Sequence, residues 1–80
     1  MSKLTSMTTQ EKNRLAERLR TAREDAGLSQ HQVAKKVKVS QPRISAWEHG
    51  QAVPDTEQLL GLAVALNVSV IDLLGLEVTR

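Results

Sequence analysis

The residues with the clearest chemical potential lie between positions 41 and 50, in the stretch QPRISAWEHG. Stepping about 100° per residue, as an α-helix requires, places Ile44 and Trp47 on one face. The opposite face carries small or polar side chains, which are Pro42, Ser45, Ala46 and His49. A face that meets only solvent usually carries Glu and Lys, whereas small groups let a backbone approach a partner closely. The major groove of DNA, which admits an α-helix, is the leading candidate for that partner.

A second interpretation of this face is catalytic, because Ser45 and His49 lie four residues apart on it. That spacing could pair a nucleophile with a base, but no Asp or Glu is placed to orient the histidine. No pocket is evident, so we expect neither an enzyme nor a small-molecule substrate. His31 and His49 are the only histidines and the chain has no cysteine, so neither a metal site nor a cofactor is expected.

Two short helices joined by a tight turn are predicted to position these side chains, within residues 28–50. The first helix follows Ser29, with Gln32 three residues later, and the second follows Ser40. Serine at these positions can cap a helix N-terminus. Apolar residues recur at helical spacing in both segments, at Val33, Ala34 and Val37 and then at Ile44 and Trp47. Each helix therefore has one buried side.

The rest of the chain predicts three more helices around this unit. Each of them lies between a capping residue and a terminating residue. The first lies between Thr8 and Gly27, the second between Asp55 and Asn67, and the third between Ser69 and Gly75. No strand or internal repeat is apparent, so the predicted fold is an all-α bundle of five helices. We place the domain at residues 8–76, after a disordered arm at 1–7 and before a frayed end at 77–80.

A length of 80 residues is enough for one small domain. With one Trp and no Phe or Tyr, its core must be aliphatic. The absence of cysteine fits a reducing compartment. No segment is apolar enough for a signal peptide or a membrane span, so a cytoplasmic protein without a membrane partner is expected.

Charge is distributed unevenly along the chain. Residues 1–50 hold ten Lys and Arg against five Asp and Glu, whereas residues 51–80 hold one against four. A basic part that contains the two-helix unit suggests a polyanion partner, and the acidic, apolar remainder suggests a protein partner. Ordinary surface scatter is the alternative that charge alone leaves open.

Several segments together resemble the lambda-repressor-like helix-turn-helix family, of the Cro/cI or XRE type. The matching segments are Arg23, Gly27-Leu28-Ser29-Gln30, Ala34, Ile44-Ser45-Ala46-Trp47-Glu48-His49-Gly50, Pro54 and Asn67-Val68-Ser69. The likeness covers about residues 12–76, and the order of the segments is more specific than any single one. It implies that the second helix of the unit is a recognition helix for double-stranded DNA.

The resemblance implies base contacts along that helix. Gln41 would reach base edges, where an amide can pair with adenine through two hydrogen bonds, although local capping is the alternative. Pro42 and Ala46 would touch thymine methyls and Ser45 would bond a base, unless they are only spacers. Arg43 could read guanine or neutralise a phosphate, and we favour base reading.

Other residues are assigned to phosphate contact or to the fold, some by the resemblance and some by their own position and chemistry. Gln30 would bond a phosphate beside the positive end of its helix, unless it is a second capping residue. Lys35, Lys38 and His49 are the other phosphate candidates, with a solvated face as the alternative for the lysines. Arg23 and Glu48 resemble the family's internal ion pair, which would fix how the recognition helix sits on the bundle. Trp47 is assigned to the core.

Two departures from the family pattern concern the flanks of the recognition helix. The turn usually carries Gly because its residue adopts positive φ, but here that residue is Lys38. We predict that Lys38 keeps this conformation at a cost of about 1 kcal/mol. The loop after Gly50 has no Lys or Arg, which puts contacts from that loop in doubt.

One recognition helix reads only a few base pairs, each worth roughly 1–3 kcal/mol of discrimination, so specificity argues for two copies. The last helix carries more apolar side chains than one face can bury, and we assign to a dimer interface Val70, Ile71, Leu73, Leu74 and Leu76. A homodimer would place two recognition helices about 34 Å apart on an inverted repeat.

The function that follows is a sequence-specific transcriptional regulator, in particular a repressor, of bacterial or phage type. One alternative is an antitoxin that binds a toxin protein and also represses its own operon. Another is a protein adaptor without a DNA function.

Overall fold

The computed structural model describes residues 7–75, which form five α-helices. The helices are α1 (Thr9–Asp25), α2 (Gln30–Val37), α3 (Gln41–Glu48), α4 (Thr56–Leu66) and α5 (Val70–Leu74). No strand occurs within the described residues, and the predicted all-α class is confirmed. Met7, which we assigned to the arm, is partly buried against the core. The remainder of the predicted arm and the predicted frayed end lie outside the described residues.

Side-chain caps explain where each helix begins. Capping boxes with both hydrogen bonds are present at Thr8 with Glu11, Ser29 with Gln32, and Asp55 with Gln58. Single caps are present at Ser40, which accepts from the Arg43 amide at 3.3 Å, and at Ser69, which accepts from the Asp72 amide at 2.9 Å. A cap of this kind contributes about 1 kcal/mol, so the residue before each helix favours a start at that point.

The turn between α2 and α3 depends on left-handed backbone at Lys38. Its φ is 61° and its ψ is 44°, so the predicted conformation is confirmed. The Lys38 amide donates to the Ala34 carbonyl and thereby closes α2. Only residues 38–40 separate α2 from α3, and the two helices pack against each other.

An aliphatic core around Trp47 joins the helices. Trp47 and Ile44 are each 2% exposed, which confirms the assignment of the tryptophan to the core. In the packing, α3 lies against α1 and α2, while α4 packs on α2 and α5 packs on α1. The other buried apolar members of the cluster are Leu15, Leu19, Val33, Ala34, Leu59, Leu62, Ala63, Leu66 and Leu73. The back of α3 is therefore fixed to the bundle.

The last helix differs from the prediction. Leu73 is 1% exposed and belongs to the core, so its assignment to a dimer interface is wrong. Val70 and Leu74 are partly buried against the same core, whereas Ile71 is 46% exposed. Because α5 packs on α1, Leu73 turns inward and Ile71 turns outward. Leu76 lies outside the described residues.

Two apolar side chains of α4 are also exposed, namely Leu60 at 52% and Val64 at 82%. They lie four residues apart, and therefore on one helical face. Both border a shallow groove between α4 and α5 that Val70 also lines. We call Leu60, Val64 and Ile71 the exposed apolar residues of α4 and α5.

Candidate nucleic-acid interface

The recognition-helix candidate α3 has a buried back and an open front. Ile44 and Trp47 occupy the back, while Gln41, Pro42 and Arg43 are exposed at the N-terminal end. Farther along the front, the half-buried residues are Ser45 and Ala46. Because both are small, no long side chain separates the middle of α3 from an approaching partner.

A bidentate ion pair fixes the C-terminal end of α3 to α1. Arg23 Nε donates to Glu48 Oε2 at 2.7 Å, and Arg23 Nη2 donates to Glu48 Oε1 at 3.0 Å. The pair that the resemblance implied is therefore present, and the Glu48 side chain is only 4% exposed. The hydrogen bond to Glu48 raises the pKa of Arg23 above its ordinary value, against the opposing effect of burial.

The same guanidinium also reaches the chain in front of α2. Arg23 Nη1 donates to the Leu28 carbonyl at 2.9 Å. Arg23 thus connects α1, the segment before α2 and the last residue of α3. These are the elements of the helix-turn-helix unit and its support, so Arg23 adds a polar link between them to the packing of the core.

A hydrogen-bond chain that the sequence analysis missed leads from this ion pair to the front of α3. Gln30 Nε2 donates to Glu48 Oε1 at 3.1 Å, and Gln41 Nε2 donates to Gln30 Oε1 at 2.6 Å. Both glutamines occupy the first position of their helices. That shared position is the one signal in the sequence that could have paired them.

The remaining candidates for phosphate contact lie at the edges of the two-helix unit. Lys38 forms the turn three residues before Gln41, and Lys35 is exposed in the last turn of α2. His49 is exposed at the C-terminal end of α3. Lys36 instead lines a groove with residues of α1, α4 and α5.

The geometry of His49 and Ser45 does not resemble an activated nucleophile. His49 Nδ1 lies 2.7 Å from the Ser45 carbonyl oxygen and 3.3 Å from Ser45 Oγ. Since a carbonyl oxygen only accepts, the closer contact requires a hydrogen on Nδ1. A nitrogen that carries a hydrogen cannot take the proton of Ser45, and Nε2 is left as the atom available to a partner.

Neither a metal site nor a membrane span is found within residues 7–75. No group of three or more His, Cys, Asp or Glu side chains there could hold a metal ion. In the same part of the chain, no helix is long and apolar enough to cross a membrane.

Two short capped helices, a left-handed turn and a second helix anchored from behind define a helix-turn-helix domain. The sequence model of the helix-turn-helix family matches residues 19–73, which are more than half of the chain. The chain belongs to this family, in its XRE-type class, and the resemblance found in the sequence is confirmed. The family consists of DNA-binding transcriptional regulators rather than enzymes.

A relative and two solved structures illustrate the likeness. Over 61 residues the chain is 39% identical to the HTH-type transcriptional regulator ImmR of Bacillus subtilis (strain 168). The fold is similar to that of the restriction-modification controller protein C.AhdI from Aeromonas hydrophila, with a TM-score of 0.77 and 28% identity. It is equally similar to the clp gene regulator ClgR from Corynebacterium glutamicum, with a TM-score of 0.77 and 31% identity.

The extent of these matches differs. The match to ImmR covers 76% of this chain and 48% of ImmR, so the chain spans about half the length of that relative. The match to C.AhdI covers 80% of this chain and 97% of the other, and the match to ClgR covers 80% and 68%.

Proposed function

We propose that this protein is a transcriptional repressor that binds an inverted-repeat DNA operator as a homodimer. The observation that carries the proposal is the anchoring of α3, whose back is buried and whose last residue is held by Arg23. Because α3 is already fixed on the bundle, it loses little further conformational entropy when it enters the major groove. Membership of a family of DNA-binding regulators supports the same function.

In the proposed complex, the front of α3 contacts base edges. Gln41 pairs with adenine, Arg43 reads guanine through a bidentate contact, and Ser45 bonds a base. Pro42 and Ala46 supply apolar contact to thymine methyls. The exposure of the first three residues of α3 and the small size of the next outward residues support this assignment.

Phosphate contacts surround that front. Lys38, in the turn, and Gln30, beside Gln41, would place cationic and amide groups at the N-terminal end of α3. His49 would approach a phosphate with Nε2, because Nδ1 is engaged by the Ser45 carbonyl. Lys35 adds a further positive charge from α2. Each phosphate neutralised should add about 0.9 to the slope of log affinity against log salt.

The proposed dimer uses the exposed apolar residues of α4 and α5. Ile71 and the partly buried Val70 and Leu74 remain from the original assignment, and Leu60 and Val64 replace the buried Leu73. Exposed large apolar side chains commonly mark a protein interface, and a twofold axis brings the same residues of two copies together. Two copies would present two α3 helices to successive major grooves.

Selection of bound sites from a random DNA library, with the full chain at ~150 mM salt, tests the proposal. We expect an inverted repeat whose half-sites are centred about 10 base pairs apart. If no sequence is enriched, and the protein binds every tested duplex as weakly as random DNA, the proposal is wrong. The relatives named above are described as regulators, which favours this function over an antitoxin.

A further inference from the structure

We propose that Glu48 is a positioning residue for base selection, because it dictates through Gln30 which atoms Gln41 presents to the DNA. The inference rests on the proposed function, in which Gln41 reads a base. It assigns to the buried ion pair a second role, in specificity, besides holding α3 on the bundle.

The direction of the hydrogen-bond chain follows from what Glu48 can do chemically. A carboxylate only accepts hydrogen bonds, and both oxygens of Glu48 already accept from Arg23. Gln30 must therefore turn its amide nitrogen towards Glu48, at 3.1 Å. The opposite orientation would set the Gln30 carbonyl oxygen against the carboxylate, with no hydrogen between them.

The second link passes this orientation on to α3. With its nitrogen committed to Glu48, Gln30 offers its oxygen to Gln41, and Gln41 Nε2 donates to it at 2.6 Å. Gln41 is left with one free acceptor, Oε1, and one free N–H. Both remaining groups belong to a side chain that is exposed at the front of α3.

One acceptor beside one donor matches adenine and not guanine. In the major groove adenine presents a donor at N6 and an acceptor at N7, whereas guanine presents acceptors at both O6 and N7. A Gln41 amide turned the other way would present two N–H groups and suit guanine. The acceptor-only chemistry of Glu48 therefore favours adenine at the base pair that Gln41 contacts.

Gln30→Met interrupts the hydrogen-bond chain from Glu48 to Gln41 and leaves the Arg23–Glu48 ion pair in place. Methionine has a similar length but cannot form these two hydrogen bonds. The base pair that Gln41 contacts is first identified as the one at which Gln41→Ala loses its sequence preference. The 80-residue chain is then titrated with its selected operator carrying either A or G at that pair. For the unchanged protein we expect at least about fivefold preference for A, the lower end for one good base contact. Gln30→Met should reduce that preference to less than about twofold, while the control Gln10→Met, on the exposed first turn of α1, leaves it intact.

Glu48→Gln combined with Arg23→Met provides a second arm, because without the guanidinium donors the new amide can turn its nitrogen towards Gln30 and permit the reversed chain. We expect its A-to-G ratio to fall towards or below one, with folding verified by circular dichroism. If Gln30→Met lowers affinity for A and G by the same factor, Glu48 is purely structural and the inference is wrong. An unchanged protein without preference for A at that pair also overturns it, whereas failure to enrich any operator overturns the proposed function itself.

Discussion

Arg23 and Glu48 are 25 residues apart in the sequence and are joined by two hydrogen bonds of 2.7 and 3.0 Å. The pair fastens the end of α3 to α1, and Gln30 extends it towards the front of α3. A contact that stabilises the fold is thus continuous with the surface proposed to read DNA.

Arg23→Met should lower the free energy of unfolding by about 3–5 kcal/mol, because it leaves the buried Glu48 carboxylate without its partner. Chemical denaturation measures this, with Arg20→Met on the exposed side of α1 as the control. Adding Glu48→Leu to Arg23→Met should recover part of the loss, since no unpaired charge then remains. A double variant as unstable as the sum of the two single variants would contradict this explanation.

Lys38→Gly should raise the free energy of unfolding by about 1 kcal/mol, because glycine adopts the left-handed turn without a steric penalty. Lys36→Gly is the matched control, and it should lower stability by about 1 kcal/mol because it lies within α2. Thermal unfolding of both variants gives the comparison. A lower melting temperature for Lys38→Gly would show that its side chain contributes more than the strain removes.

Arg43→Ala should relax preference at one base pair, by about 1–3 kcal/mol, if its guanidinium reads guanine. Lys35→Ala, expected to remove only a phosphate contact, should weaken binding to every sequence and reduce the salt slope by about 1. Titrations of single-base operator variants at several salt concentrations separate the two effects. Equal loss on all sequences for Arg43→Ala would assign it to phosphate.

Val64→Glu and Ile71→Glu should convert the proposed dimer to a monomer without unfolding it, because both side chains are exposed in the single chain. Gln10→Glu introduces the same charge on α1 and should leave the association unchanged. Sedimentation velocity at micromolar concentration distinguishes these outcomes. Leu73→Glu is unsuitable, since it places a charge in the core and should unfold the domain. An unchanged protein that sediments as a monomer, alone and with its operator, would refute the dimer.

Gly50→Ala and Gly27→Ala should destabilise the domain to a similar extent. Both glycines have positive φ, of 72° and 71°, so each substitution incurs backbone strain of about 1 kcal/mol. A Cβ at Gly50 would lie 2.6 Å from Asn13 Oδ1, but that atom ends an exposed side chain that can turn aside, and a Cβ at Gly27 meets nothing within 4 Å. Thermal unfolding compares the two variants, and a clearly larger loss for Gly50→Ala would show that Asn13 is held in place.

Features set by local chemistry could be predicted from the sequence. The five capped starts depend on a Ser, Thr or Asp and the residue three positions later, so each is visible within four residues. The positive φ of Lys38 and the pairing of Arg23 with Glu48 came instead from the family resemblance. No local rule would have joined residues 25 positions apart.

Features set by packing between helices could not be predicted in the same way. Apolar spacing within a five-residue helix does not decide whether Ile71 or Leu73 faces the core, because the answer depends on where α1 lies. The link between Gln30 and Gln41 likewise requires the angle between α2 and α3. Base and phosphate contacts remain predictions, since they depend on a second molecule.

The burial of Trp47 gives the protein a built-in optical reporter. The chain has one Trp and no Tyr or Phe, so its near-ultraviolet fluorescence comes entirely from the back of α3. Unfolding should shift that emission to longer wavelength as water reaches the indole. A change in emission on adding DNA would instead report movement of α3 relative to the bundle, without any attached dye.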